Sequence, residues 1–127
     1  MIAVDREAGA SALRALVKQG EAAVADGRQI VIFPEGTRAD PGARLPLQPG
    51  VAALADRLGL PVIPVATNSG LFWGKKTLMM HSGTITLSFL PPIAPGLPRK
   101  EFQEKMERMI SEEASRLLTV TEAKVAR

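Results

Sequence analysis

The chain has no cysteine, no tyrosine, one histidine and one tryptophan, and aromatic residues make up only 4% of it. Without cysteine there is no disulfide, no thiolate metal site and no thiol nucleophile. The single histidine, His81, leaves any metal centre to carboxylates, and the Asp and Glu residues fall in no metal-ligand spacing. So few aromatic rings exclude a base-stacking surface. A formal charge of +3, from 16 basic and 13 acidic side chains, is too mild to argue for nucleic acid. It suits a weak attraction to an anionic membrane face or an anionic substrate, as does the pI near 9.7. No apolar run approaches the roughly 18 residues of a membrane-spanning helix. Met-Ile-Ala-Val-Asp-Arg at the start does not read as a signal peptide, because no basic segment precedes a long apolar one. What is present, 127 residues of which 46% are apolar, suits one globular domain.

The pattern of apolar residues predicts alternating strands and helices. Ile2, Ala3 and Val4 form a short strand candidate that ends at Asp5 and Arg6. Gly9 breaks the chain, Ser11 is placed to cap a helix, and Leu13, Leu16, Val17 and Val24 give that helix one apolar stripe, closed by Asp26 and Gly27. Ile30, Val31, Ile32 and Phe33 are β-branched or aromatic and read as a short buried strand, ended by Pro34. Residues 39–49, with three prolines and Gly42, read as an irregular loop. A second helix is expected over residues 50–58 with Gly59 as its stop, and a proline-limited third strand over 61–65. The alternation of residues 84–90 predicts a half-buried strand, and Pro91, Pro92, Pro95 and Pro98 mark a connector. Phe102, Met106, Met109, Ile110 and Leu117 give the last helix, over residues 99–118, a core-facing stripe, with 119–127 as a flexible tail. The expected class is α/β, a mostly parallel sheet flanked by helices.

The chemistry is concentrated at strand ends. A G-x-S-x-G elbow, a P-loop and a G-x-G-x-x-G turn are all absent. His81 is the one side chain that titrates near neutrality without a large shift, and between methionines, serine and glycine it reads as a solvated loop residue. Glu35, Gly36, Thr37 and Arg38 follow a strand candidate directly, at the carboxyl edge where open α/β sheets bind ligands. Gly36 admits close backbone approach, Thr37 offers a hydroxyl, and Arg38 offers a planar cationic fork suited to phosphate. In a parallel sheet Arg6 would lie on the same edge, so that two guanidinium groups converge on one anion. The plainer alternative is two unrelated surface pairs, Asp5 with Arg6 and Glu35 with Arg38.

These residues, in this order, resemble the glycerolipid acyltransferase family, most closely its bacterial 1-acylglycerol-3-phosphate acyltransferases. Residues 2–6 resemble the second block of the family, and Phe33-Pro34-Glu35-Gly36-Thr37-Arg38 the third, which is the most specific match. Val62-Ile63-Pro64-Val65-Ala66, followed by Asn68-Ser69-Gly70-Leu71-Phe72-Trp73-Gly74, resembles the fourth. The resemblance implies a glycerol-3-phosphate acyltransferase-like fold, with residues 1–118 forming the acyltransferase domain. It implies transfer of an acyl group from acyl-CoA or acyl-carrier protein, as co-substrate and without a cofactor, to lysophosphatidate, giving phosphatidate. It further implies that Arg6 and Arg38 hold the acceptor's phosphate, that Glu35, Gly36 and Thr37 shape its pocket, and that the protein works at the cytoplasmic face of a membrane.

One block of the family is not in this sequence. The H-x-x-x-x-D block, whose histidine takes the proton from the acceptor hydroxyl and whose aspartate orients it, has no counterpart: Thr86, not aspartate, stands five residues after His81. The expectation is therefore an amino-terminally truncated acyltransferase domain that carries the acceptor site but no catalytic residue, and that shows no turnover alone. The alternatives are a non-catalytic phosphate- or phospholipid-binding module and an inert fragment.

Overall fold

A computed structural model describes residues 9–37, 39–74 and 78–125. Helix α1, Gly9–Ala25, lies against α2, Pro49–Leu58; α2 also packs on the long helix α3, Arg99–Val125. Strands β1, Val65–Thr67, and β2, Leu87–Phe89, form a two-stranded antiparallel sheet, and α3 supports β1.

The helices form where the apolar spacing predicts them. In α1 the buried positions are Val17, Gly20 and Ala23. Gly20 has a packing reason: a Cβ built there would lie 3.0 Å from Leu54 Cδ1, so the α1 and α2 backbones approach closely at this residue. Ser11 lies inside α1, two residues past its start at Gly9, and is not its cap. Helix α2 has Gln48 as its amino-terminal cap residue and Pro49 in its first turn, where the missing N–H costs nothing. It stops at Gly59, whose left-handed φ of 59° lets its N–H reach the Ala55 carbonyl. Ala52, Ala53 and Leu54 are all buried, because α2 has a helix on either side. The core joins Leu47, Ala52, Ile93, Phe102 and Met106, with Met109 and Ile110 packed against it. Helix α3 runs to Val125, past the end expected at Leu118, and its Thr119 and Thr121 hydroxyls donate to the carbonyls of Ser115 and Leu117.

The sheet departs from expectation. Residues 30–33 form no strand: Val31 is 80% and Phe33 84% exposed, while the Ile30 side chain lies beside Gly20 of α1. A strand exists only through a partner's hydrogen-bond ladder, and none of the described residues supplies one here. The strand candidate at residues 2–4 lies outside the described residues. The pairing that is seen is antiparallel, not parallel, with Val65 opposite Phe89 and Thr67 opposite Leu87, and with a further bridge from Val62 to Ile93. The cause is the connection. The described residues between β1 and β2 hold one 3-10 turn, Ser69–Leu71, and no α-helical crossover of the kind that parallel pairing needs. Asn68 fixes the return. It is 2% exposed, its Nδ2 donates to the Thr84 carbonyl and the Thr121 hydroxyl, and its Oδ1 accepts from the Thr86 N–H.

The sheet faces are also inverted relative to the simplest reading of the alternation. Ala66 and Ser88 face inward, whereas Val65, Leu87 and Phe89 are exposed. The inward position of Ser88 is explained by α3: its hydroxyl donates to Glu113, which Arg116 clasps through Nη2 and Nε at 2.6 and 2.9 Å. Arg116 and Ser88 together hold the Glu113 carboxyl at about 2, below its ordinary 4.5.

Two expected outcomes follow. Asn68→Ala deprives the Thr86 N–H and the Thr84 carbonyl of their partner and should lower unfolding stability by about 2 kcal/mol in a urea titration; an unchanged midpoint would contradict the role given to Asn68. Glu113 has a depressed pKa, so its contribution is complete above 4.5 and disappears as pH falls toward 2. Glu113→Gln should therefore be less stable than the parent at neutral pH and equal to it at the acid end, and a pH-independent difference would count against the assignment.

Candidate functional site

The stretch singled out in the sequence is a tight turn held against the amino end of a helix. The Gly36 N–H donates to the Phe33 carbonyl at 3.1 Å, closing a four-residue turn with Pro34 second and Gly36 last, positions those residues favour. Gly36 has φ +68° and a Cβ there would come within 3.2 Å of Gln48 Cγ, so both conformation and space call for glycine. The Gln48 N–H donates to the Pro34 carbonyl at 2.8 Å. Because Gln48 is the cap residue of α2, this one bond sets the turn beside that helix's amino terminus, the end carrying partial positive charge.

The support continues inward from Gln48. Its neighbour Leu47 is buried, and both main-chain polar groups of Leu47 are taken by α3: the Glu107 carboxylate accepts from the Leu47 N–H, and Gln103 Nε2 donates to the Leu47 carbonyl, each at 3.1 Å. Gln103 and Glu107 stand one helical turn apart and also bond each other at 3.3 Å. The turn is thus positioned from a helix more than fifty residues away in the chain. Sequence reasoning missed Gln48, Gln103 and Glu107; the sole hint was a Gln and a Glu spaced by one turn on a helix, which by itself signals only a surface pair.

Of the predicted site residues, Glu35, Gly36 and Thr37 come together on this turn, with Thr37 exposed and Glu35 half-buried. Arg6 and Arg38 lie outside the described residues. The fourth block divides between β1 and a structural role, since the Asn68 side chain bonds Thr84 and Thr86 of the sheet connection and Thr121 of α3. His81 uses its backbone N–H to bond the Phe72 carbonyl at 2.8 Å. Among the described residues no group of three or more His, Cys, Asp or Glu is placed to hold a metal ion.

Two concavities lie elsewhere. A cavity of about 10 Å³ between α2 and residues 93–97 holds no more than one water. An open groove of about 440 Å³ between α1 and α2 is lined by Leu13, Val17 and Ala53, with Arg14, Lys18 and Arg57. Neither includes the turn. Burial raises the Glu35 carboxyl above its usual value. A raised carboxyl binds its proton more readily folded than unfolded, so the cost of ionising Glu35 is complete at neutral pH and disappears below the ordinary carboxylate range. Glu35→Gln should be slightly more stable than the parent at pH 7 and indistinguishable in acid, as measured by denaturant unfolding at the two pH values.

The family model described as Acyltransferase matches residues 1–68, which include the turn and its tether to Gln48. The 1-acyl-sn-glycerol-3-phosphate acyltransferase of Pseudomonas aeruginosa is 39% identical over 115 residues, covering 87% of this chain and 45% of that protein. The enzyme of the same name from Limnanthes alba is 33% identical over 93 residues, 72% of this chain and 33% of the relative. The human 1-acyl-sn-glycerol-3-phosphate acyltransferase beta is 33% identical over 91 residues, 71% of this chain and 33% of the relative. The chain therefore spans less than half the length of these curated relatives. No solved structure gives a significant match. With more than half of its residues matched by the family model and close relatives along most of its length, the chain belongs to the acyltransferase family.

Proposed function

We propose that this chain supplies the acceptor-phosphate side of a 1-acylglycerol-3-phosphate O-acyltransferase, which moves an acyl group from acyl-CoA or acyl-carrier protein to lysophosphatidate and so makes phosphatidate. The observation that carries the reading is the turn at residues 33–36. A bond from the α2 cap residue holds it, glycine is required at its end, and Thr37 and Arg38 follow directly in the chain. A phosphate placed there would meet the amino terminus of α2, the Thr37 hydroxyl and the Arg38 guanidinium. Arg6 would add the second guanidinium in this reading. The substrate class comes from the names of the relatives, all of which specify acyl transfer to 1-acylglycerol 3-phosphate.

The part given to this chain is acceptor binding and not proton transfer. Its 127 residues contain no H-x-x-x-x-D, and His81 lacks an aspartate at that spacing. The second reading is a non-catalytic binder of phosphate or phospholipid that uses the same turn. A membrane surface is the natural setting for either, since the acceptor is itself a lipid, and among the described residues no helix is long and apolar enough to cross a membrane.

The test is Arg38→Lys, which keeps the charge and removes the planar fork. Titration with a short-chain lysophosphatidate below its micelle concentration should show acceptor binding weakened about tenfold, the loss of one charge-assisted bond, with the circular dichroism spectrum unchanged. Equal affinity of the two proteins would rule out Arg38 as a phosphate ligand.

A further inference from the structure

We propose that the groove between α1 and α2 is a docking site for an acidic amphipathic helix of a partner protein, and that this partner is the acyl-carrier protein that brings the acyl group. The groove has an apolar floor and cationic walls. Leu13 and Val17, one turn apart on α1, form the floor with Ala53 of α2, and Val17 and Ala53 are buried. Arg14 and Lys18 stand beside that floor on α1, and Arg57 lines it from α2, all three exposed. Arg14 and Lys18 are four residues apart, a like-charge spacing that weakens a helix on its own. Among the described residues neither they nor Arg57 has a carboxylate partner. Arg99, which also lines the groove, is by contrast neutralised by Asp56 at 3.2 Å. Glu21 is the sole acid among the described lining residues.

Unneutralised positive charge around an apolar floor calls for a ligand that is anionic at its edges and apolar along its middle. A helix whose apolar stripe is flanked by Asp and Glu has that form, and a channel between two helices is the place where a third helix lies down. A nucleotide does not suit the groove, because the lining offers no aromatic ring to hold a base and no hydroxyl or carboxamide to read one. A bilayer does not suit it either, since the apolar residues are recessed between the cations and do not project. Of the two donors named above, acyl-carrier protein alone is a protein and can present a helix. The inference rests on the acyltransferase reading and deepens it by choosing the donor. The groove does not include the turn at residues 33–36, so donor and acceptor would be held by different residues.

The full chain, isotopically labelled for nuclear magnetic resonance, is titrated with holo-acyl-carrier protein at low salt. The amide resonances of Leu13, Val17, Ala53 and Arg57 should shift while those of residues 33–36 stay in place, and the affinity should fall steeply as salt is added. Arg14→Glu combined with Lys18→Glu should weaken binding by at least about tenfold, since carboxylates then face carboxylates. Arg14→Lys combined with Lys18→Arg, which keeps both charges, should bind as the parent does. Four results overturn the proposal: no binding at low salt; shifts confined to other surfaces; equal affinity of the charge-reversed protein; or acyl-CoA moving the same resonances at lower concentration than the carrier, which would make the groove a nucleotide site. A dimer on gel filtration that the charge reversal dissociates would assign the groove to a second copy and overturn it as well. If the charge-reversed protein misfolds, the resonance map of the parent decides alone. Lysophosphatidate binding, measured without the carrier, reports the acceptor site by itself, so the two readings fail separately.

Discussion

Much of this molecule depends on how α3 treats one residue. Leu47 is buried in an irregular, proline-rich segment where no ladder or helix is available to its N–H and C=O. Buried main-chain groups without partners are costly, and Gln103 and Glu107 remove that cost from a neighbouring helix. The consequence reaches beyond stability. Once Leu47 is held, Gln48 is oriented to begin α2, and its N–H is directed at Pro34. The turn at residues 33–36 is therefore an outer layer of the core, and among the described residues its position is inherited from helix packing without a sheet beneath it.

The sheet illustrates a different constraint. Alternation in residues 84–90 correctly signals an extended segment, but a period of two does not say which face is inside. Here α3 decides. It presents Glu113 and Arg116 to the sheet, so the polar Ser88 turns toward the helix and Leu87 and Phe89 turn away. Val31 and Phe33 are likewise exposed, and together these residues leave the molecule with considerable apolar surface.

Membership of the acyltransferase family and the geometry of the turn meet at the same residues. Pro34 and Gly36 fit their turn positions closely enough to be anticipated from the motif alone, whereas the half-burial of Glu35 needs the surrounding fold. Asn68 is the converse case. Beside a family block it suggests a binding residue, yet its side chain bonds Thr84 and Thr86 on the return from β1 to β2 and Thr121 on α3. A motif residue within a ligand-binding family is thus read here as architecture, since its polar atoms are turned away from solvent.

What the amino-acid order determined alone is local and periodic. The spacing of Leu13, Leu16 and Val17 makes an amphipathic helix, Gly59 stops another, Phe102, Met106 and Leu117 set the buried stripe of α3, and Phe-Pro-Glu-Gly-Thr makes a turn. Each follows from propensity, helical period or allowed dihedral angles, which a residue carries with it. Tertiary structure alone decided that residues 30–33 find no ladder among the described residues, that β1 and β2 run antiparallel, that Ser88 faces inward, and that Gln103 and Glu107 position a turn distant in sequence. Those outcomes depend on hydrogen bonds and burial between segments brought together only by folding, and a partner that comes from elsewhere in the chain leaves no periodic trace in the residues it pairs with.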